Sequence, residues 1–185
     1  MKRVIIVHRW SGGSHDDWRP WLKVELEKKG YEVLMPDMPD THVPVIVKWV
    51  NHLRGVVGTA DKDTYFIGHS IGCQAILRYL QTIDTQVGGA VFVAPWLKLK
   101  NLEDKETEDI ARPWLETPID FEKIKSVCPN IKALLSSNEP FGCVEENKTI
   151  LENQLNAKVL ILENKGHFTE DDRCTELPEL LTLIP

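Results

Sequence analysis

The stretch Tyr65-Phe66-Ile67-Gly68-His69-Ser70-Ile71-Gly72 joins an apolar run to a serine that has glycine two residues to either side. The apolar run predicts a buried strand, and the helical spacing of Cys73, Ile76 and Leu80 predicts a helix directly after it. A serine at such a strand-to-helix turn is typical of a nucleophile elbow, which exposes the hydroxyl at the carboxyl end of a sheet. The stretch therefore predicts an α/β fold in which Ser70 is a nucleophile.

Five further apolar runs have the composition of strands, because they are rich in β-branched or aromatic residues. They are Val4–Val7, Tyr31–Met35, Val91–Val93, Ile131–Leu135 and Val159–Leu162. Most are apolar throughout, as strands covered on both faces of a parallel sheet should be. Together with Tyr65–Ile67 they predict a six-stranded sheet.

Segments with helical periodicity alternate with these runs along the chain. They are Trp18–Leu26, Ile46–Leu53, Cys73–Leu80 and Leu177–Ile184, with a weaker pattern over Val144–Leu155. The alternation predicts a doubly wound, mostly parallel α/β sheet with helices on both faces. Leu97–Asp120 shows neither pattern, since it is charged and contains Pro113 and Pro118. We expect it to cross the rim of the sheet as a short irregular excursion.

The chain has 185 residues, with 22 basic and 28 acidic side chains and a formal net charge of −6 at pH 7. This length suits one domain and no linker or repeat divides it, so we expect residues 1–185 to form a single domain. The acidic balance argues against nonspecific nucleic-acid binding and against docking on anionic membranes, both of which need a basic surface. No apolar run approaches the roughly 18 residues that a membrane span requires.

Four cysteines, at positions 73, 128, 143 and 174, lie apart, without a CxxC pair or the spacing of metal ligands. They are typical of reduced thiols. The apolar stretch after Met1-Lys2-Arg3 is too short for a signal peptide. We therefore expect a cytoplasmic protein without a bound metal.

A nucleophilic serine needs a base, and the base needs an acid that orients it. In this architecture the chain order is serine, acid, histidine. His167 is the only histidine after Ser70, and Glu139 is the only carboxylate at the carboxyl end of the run Ile131–Leu135. The pair Asp171-Asp172 follows the histidine and fits this order less well. The sequence therefore predicts Ser70, Glu139 and His167 as a catalytic triad.

The negative charge that develops on an acyl oxygen needs backbone N–H donors. We expect one donor from Ile71, which follows the serine, and the other from Trp10 in the loop His8–Gly13 after the first strand. That loop does not read GxGxxG, which counts against a dinucleotide site, and we expect no cofactor.

Three further features are interpreted from their position in the sequence. We expect His69, beside the nucleophile, and Trp96, just after the strand Val91–Val93, to contact the substrate. The run His15-Asp16-Asp17 has no second cluster of metal ligands. We interpret it as an acidic turn that caps the first helix rather than as a metal site.

Over nearly its whole length the sequence resembles the retinoblastoma-binding-protein-9 and YdeN-like family of serine hydrolases. Besides the opening strand and the His8 loop, the segments that carry the resemblance are Trp18-Arg19-Pro20-Trp21-Leu22, Met35-Pro36-Asp37-Met38-Pro39, Gly68-His69-Ser70-Ile71-Gly72, Ser137-Asn138-Glu139-Pro140-Phe141 and Gly166-His167-Phe168. The resemblance implies a compact α/β-hydrolase with minimal or no cap and a triad at Ser70, Glu139 and His167. It also implies esterase-type activity on small acyl esters without a cofactor.

Two positions depart from the pattern of that family. Arg9 follows His8 where such loops usually read His-Gly, and Glu139 stands where the acid is usually aspartate. The main hypothesis is a serine hydrolase that cleaves small esters in an open site. The alternatives are a weakly catalytic or non-catalytic binding module on the same fold, which these two departures suggest, and a nucleotide-binding α/β domain. The sequence does not identify a protein partner.

Overall fold

The structure is a computed structural model that describes residues 1–184. Within these residues six strands form one sheet. They are β1 (Arg3–Val7), β2 (Glu32–Leu34), β3 (Thr64–His69), β4 (Gly89–Val93), β5 (Ile131–Ser136) and β6 (Lys158–Leu162). Their spatial order is β2-β1-β3-β4-β5-β6, and each neighbouring pair is parallel. Because the strands are parallel, the loops that follow β1, β3, β5 and β6 leave the sheet at the same edge.

The described part of the chain also contains seven helices. They are α1 (Arg19–Lys28), α2 (Ile46–Val57), α3 (Ile71–Leu80), α4 (Lys105–Glu116), α5 (Phe121–Val127), α6 (Val144–Leu155) and α7 (Leu180–Leu183). Each of the five crossovers between consecutive strands includes at least one of them, as parallel strands require. Among residues 1–184, no helix is both long enough and apolar enough to cross a bilayer.

Apolar side chains of the strands point alternately into two cores, one on each side of the sheet. Ile5 and Val7 of β1 pack in the core that holds α2, α3, α5 and α6, whereas Val4 and Ile6 pack in the core that holds α1 and α7. The strands are apolar throughout because both of their sides are covered. This arrangement confirms the predicted doubly wound parallel sheet with helices on both faces.

The segment Leu97–Asp120, expected to be irregular, contains the helix α4. Asp104 caps the helix through its side chain, and Ala111 and Trp114 are buried in the core. Pro113 removes one N–H donor, but it lies near the last turn, where little helix remains to be disturbed. The expectation of an irregular excursion is therefore wrong for this helix, because the cap and the buried side chains outweigh the proline.

The periodic pattern over Leu177–Ile184 corresponds to only one helical turn, α7. Pro178 is the physical reason, since the residue before a proline is disfavoured in the helical region of backbone space. Leu177 and the leucines of α7 nevertheless pack in the core beside α1. The periodicity thus indicated which side chains are buried but overstated the length of the helix.

Candidate active site

Ser70 stands alone between the last residue of β3 and the first residue of α3. Its φ of 55° is in the left-handed region, which is strained for any residue other than glycine. A Cβ atom on Gly68 would lie 2.7 Å from the backbone of Cys73, and one on Gly72 would overlap the backbone carbonyl of Val7. Both glycines are therefore required for strand and helix to approach this closely, as a nucleophile elbow demands.

His167 and Glu139 form a buried hydrogen bond at the same edge of the sheet. The imidazole Nδ1 donates to Glu139 Oε1 at 2.8 Å, and the two side chains are only 11% and 8% exposed. An ionised carboxylate can only accept, so the proton lies on Nδ1 and Nε2 has a free lone pair. This is the tautomer that a general base needs in order to accept a serine proton.

The loops that carry these two residues are joined to each other by polar side chains. Asn138 Oδ1 accepts the Gly166 N–H at 2.8 Å, and Ser136 Oγ accepts the Lys165 N–H at 3.0 Å. Asp172 accepts the backbone N–H of His167 itself at 2.8 Å. Asp172, predicted only as a less suitable acid for the triad, thus supports the histidine loop, and the roles of Ser136 and Asn138 are not evident from the sequence.

Ser70 and His167 line one cavity of about 600 Å³. Ser70 Oγ accepts a hydrogen bond from the indole N–H of Trp96 at 3.2 Å. Among residues 1–184, no hydrogen bond joins Ser70 Oγ to His167. Hydrogen bonds between catalytic groups are often long or poorly aligned until substrate is bound, so this arrangement is compatible with a resting serine. Trp96 thus lies at the cavity, where the sequence placed it.

In the part of the chain that the structure describes, the two N–H groups expected at the oxyanion hole lack intramolecular hydrogen-bond acceptors, unlike neighbouring N–H groups of the loop after β1. Nearby in the loop, the Ser11 N–H donates to Thr41 and the Gly12 N–H donates to Arg9. Within the described residues neither Ile71 N–H nor Trp10 N–H has an intramolecular acceptor. Trp10 lines the same cavity as the serine, and Ile71 directly follows that serine in the chain.

Arg9 and His8 hold the loop after β1 in place. His8 Nε2 accepts the Met38 N–H at 2.8 Å, so Nδ1 carries the proton and donates to the Arg9 carbonyl at 2.7 Å. Burial lowers the pKa of His8, which favours this neutral form. The Arg9 guanidinium turns back to the Asp17 carboxylate at 3.0 Å. The residue that departs from the His-Gly pattern is therefore anchored by a buried acid.

Two expectations about residues near the site are not supported by their positions. His69, expected to contact substrate, is fully buried and does not line the cavity; its Nε2 bonds the backbone carbonyl of His167 at 2.8 Å. Asp17, interpreted as part of a capping turn, is buried among Arg9, Arg19 and the backbone of the histidine loop. No side-chain cap bond is made at the start of α1. Both residues lie behind the cavity rather than in it.

The cavity combines an apolar interior with an acidic rim. Its aromatic and aliphatic lining residues are Trp10, Trp96, Leu99, Leu102, Ile110, Pro140 and Phe141. Its carboxylates are Glu103, Asp104, Glu106, Asp171 and Asp172. Among the described residues Arg9 is the one lysine or arginine on this lining. Despite the carboxylates, no cluster of three or more potential metal ligands occurs within residues 1–184.

Known proteins are similar to this chain in both sequence and fold. The chain matches the serine hydrolase family over residues 4–184. It is 29% identical to the YdeN protein of Bacillus subtilis (strain 168), over 96% of this chain and 91% of that protein. It is 28% identical to RBBP9, a serine hydrolase of Rattus norvegicus, over 98% of this chain and 93% of that protein. The crystal structure of the B. subtilis ydeN gene product aligns with a TM-score of 0.88 at 28% identity, covering 98% of this chain and 97% of that one. The chain belongs to the serine hydrolase family.

Proposed function

We propose that this serine hydrolase cleaves small neutral carboxylic esters through a triad of Ser70, His167 and Glu139. The observation that carries the proposal is the 2.8 Å hydrogen bond from His167 Nδ1 to Glu139 Oε1. This bond leaves the other imidazole nitrogen free to accept a proton at a cavity that also contains Ser70. Both triad partners are buried, so their orientation is fixed before substrate arrives.

The reaction passes through an acyl-enzyme in two steps. His167 Nε2 accepts the proton of the Ser70 hydroxyl while Oγ forms a bond to the acyl carbon, and the same proton is then given to the leaving alcohol. In the second step a water molecule gives a proton to His167 and its oxygen bonds the acyl carbon. The bond from the acyl carbon to Ser70 breaks, Oγ takes the proton back, and the carboxylic acid leaves. Glu139 remains ionised and stabilises the imidazolium.

Two backbone amides supply the stabilisation of the oxyanion. The N–H groups of Ile71 and Trp10 are assigned this role because both lack an intramolecular acceptor within the described residues. Ile71 is also the first residue of α3, so the positive end of the helix dipole adds to its effect. Such preorganised donors are worth about 3 kcal/mol each in enzymes that form tetrahedral intermediates.

The cavity supports the choice of a small, neutral acyl group. A volume of about 600 Å³ admits a small ligand, and its aromatic and aliphatic lining favours an apolar acyl chain. Trp96 contributes to this wall and also donates its indole N–H to the nucleophile at 3.2 Å. This donation holds Oγ in place and leaves the hydroxyl proton available for His167.

The test is covalent labelling of the purified protein with an active-site fluorophosphonate, followed by intact mass and peptide mapping. We expect one adduct per chain, located on Ser70, and no adduct in Ser70→Ala or His167→Ala. Ser11→Ala is the matched comparison, because Ser11 lines the same cavity and its hydroxyl lies 3.1 Å from a ring nitrogen of His42, within hydrogen-bond distance.

The adduct distinguishes the two serines. Labelling that persists in Ser11→Ala and is lost in Ser70→Ala assigns the nucleophile to Ser70. An adduct on Ser11, or an unlabelled wild-type protein, would overturn the triad. An unlabelled wild-type protein would favour a weakly catalytic binding module. Hydrolysis of 4-nitrophenyl butyrate by the labelled and unlabelled protein then tests the assignment of ester substrates.

We also propose that the enzyme works in the cytoplasm as a single catalytic domain over residues 1–185. All four cysteines are free and buried, and burial raises the pKa of Cys128 to about 12 and that of Cys174 to about 11. Thiols without disulfides are typical of reducing compartments. The support for one domain is the sheet, which joins strands from both ends of the chain.

A further inference from the structure

Three ionisable side chains are buried behind the cavity without lining it. Those of Asp17, Arg19 and His69 are all 0% exposed. Burying a charged pair costs several kcal/mol per ion in desolvation, and an apolar replacement of similar size is often at least as stable. The stability of the fold alone therefore does not explain why this chain keeps them beside the catalytic loops.

The hydrogen bonds among these three side chains allow only one arrangement of protons. Arg19 donates from Nη2 to Asp17 Oδ2 at 3.0 Å and from Nη1 to His69 Nδ1 at 3.0 Å. Because a guanidinium only donates, His69 Nδ1 must accept, and its proton must lie on Nε2. That Nε2–H donates to the backbone carbonyl of His167 at 2.8 Å. The chain of bonds therefore runs from Asp17 to the catalytic histidine in a fixed direction.

Burial and the Arg19 charge keep His69 neutral. Burial lowers the pKa of His69 well below its usual value, and the nearby Arg19 guanidinium lowers it further. Burial also lowers the pKa of Arg19, but the Asp17 carboxylate opposes that shift. A protonated His69 could not accept from Arg19, so its neutrality is necessary for the network to hold together.

The same network reaches three of the four loops that form the site. The Asp17 carboxylate accepts from Arg9 in the loop after β1 and from the Glu170 N–H in the loop after His167, each at 3.0 Å. His69 belongs to the strand that ends at the nucleophile. Relative movement of any one loop would break a bond to a buried charge, which is costly.

We propose that Asp17, Arg19 and His69 are positioning residues for the reaction, which hold the backbone of His167 in register with Ser70 and with the oxyanion loop. The inference rests on the proposed triad. None of the three touches the cavity, so they act through His167 and Arg9. A misplacement of about 1 Å in a catalytic group can lower the rate about 100-fold. We expect a loss of that size when the network is broken.

The first test compares three substitutions of His69. Glutamine can place an amide N–H near the Nε2 position and an acceptor for Arg19, whereas His69→Asn is too short to reach the carbonyl and His69→Leu removes both groups. We expect kcat for 4-nitrophenyl butyrate to fall about 100-fold in the leucine and asparagine variants. KM should stay nearly unchanged, because no substrate contact is lost. His69→Gln should restore most of the rate.

The second test separates positioning from stability by using another buried arginine. Arg78 is also buried and stacks on a tryptophan, with its guanidinium carbon 5.8 Å from the Trp114 ring, as Arg19 does on Trp18. Its hydrogen bonds go to backbone carbonyls at the end of α4, away from the triad. Arg19→Met and Arg78→Met should both lower the melting temperature, but only Arg19→Met should lower kcat.

A third measurement needs no substitution. In wild-type protein with ¹⁵N-labelled histidine, NMR should show His69 as the neutral Nε2–H tautomer at pH 7. His69 should also stay unprotonated as the pH falls below 6.5. The Nδ1–H tautomer, or titration near pH 6.5, would overturn the network even if none of the variants folded.

The kinetic outcomes separate this inference from the proposed function. If the wild-type protein is not labelled at Ser70, the triad itself fails. If it is labelled and folded His69→Leu and Arg19→Met keep the wild-type kcat, the triad stands and the positioning role is wrong. A His69→Gln variant as slow as His69→Leu would also overturn the role of the N–H donor.

Discussion

The two walls of the cavity are held in place in different ways. The catalytic wall carries Ser70 and His167 of the proposed triad, with Glu139 behind them, and each of the two side chains is held by a hydrogen bond to a buried group. The helical wall is the segment Leu99–Ile110, whose carboxylates at the cavity are exposed to solvent. The helix of this wall is anchored further along, where Trp114 is buried and donates to the carbonyl of Pro44 at 3.0 Å.

This difference indicates a division of roles within one cavity. Substitutions in the catalytic wall disturb buried hydrogen bonds that cannot be replaced by water, so they should change the rate constant. Substitutions in the helical wall change screened charges in contact with solvent, so they should change only the preference among substrates. Three substitutions, taken in order of expected effect, test this division.

The largest effect is expected at Glu139. Glu139→Gln keeps the size of the side chain but removes the charge that fixes the His167 tautomer and stabilises the imidazolium. Replacing the acid of a triad by its amide costs about 10⁴-fold in kcat where this has been measured in serine proteases. We expect a loss of that order in steady-state hydrolysis of 4-nitrophenyl butyrate.

Glu139→Asp is the control for this prediction. It keeps the charge and shortens the side chain by one methylene, so it should be slower than wild type but much faster than Glu139→Gln. If Glu139→Gln retained activity within about tenfold of wild type, Glu139 would not be the acid of the triad.

The next effect is expected from a backbone change behind the same wall. Gly166 has a φ of 53°, and a Cβ atom there would overlap the carboxylate of Asp172, which accepts the His167 N–H. Gly166→Ala should therefore displace the histidine loop, lower kcat about 100-fold and cost about 1–3 kcal/mol of stability. Kinetics and thermal unfolding measure the two effects.

Gly30 provides the matched control for Gly166. It also has a positive φ, of 86°, but no heavy atom lies within 4 Å of its Cβ position. Gly30→Ala should lose about 1–2 kcal/mol from backbone strain alone, with kcat unchanged. Equal losses of kcat in the two variants would show that the Asp172 carboxylate beside Gly166 does not hold the histidine loop in its active position.

The catalytic wall was largely predictable from the sequence because its signals are local. Ser70 lies between a strand pattern and a helix pattern, and Glu139 and His167 lie in the short loops that follow apolar runs. Parallel strands bring such positions to one edge, whatever their separation along the chain. The proposed triad could therefore be assembled from element order alone.

The supporting network could not be predicted in this way. His69 and Arg19 are 50 residues apart and Asp17 and Glu170 are 153 apart, so no spacing in the sequence reports their bonds. The helical wall was missed for another reason. Pro113 and the surrounding charges obscured a helix whose stability comes from one cap and a few buried side chains.

The smallest effect is expected in the helical wall, as a preference for neutral over anionic acyl groups. Two esters that differ at one terminal group test it. They are 4-nitrophenyl butyrate and 4-nitrophenyl hydrogen succinate, in which a charged carboxylate replaces the terminal methyl group. The rim carries several carboxylates, whereas Arg9 is already paired with Asp17. Coulomb repulsion in a high dielectric amounts to about 1 kcal/mol, so kcat/KM should favour butyrate by about 3- to 10-fold.

Two tests ask whether this preference comes from the helical wall: a change of ionic strength, and one matched pair of variants. Raising the ionic strength to about 1 M shortens the screening length to about 3 Å and should reduce the preference. Glu106→Gln should also reduce it, because Glu106 lines the cavity. Glu108→Gln, which removes the same charge from an exposed position on the same helix but off the cavity, should not. If the two variants behaved alike, or if succinate were preferred, the charge of the helical wall would not select the substrate.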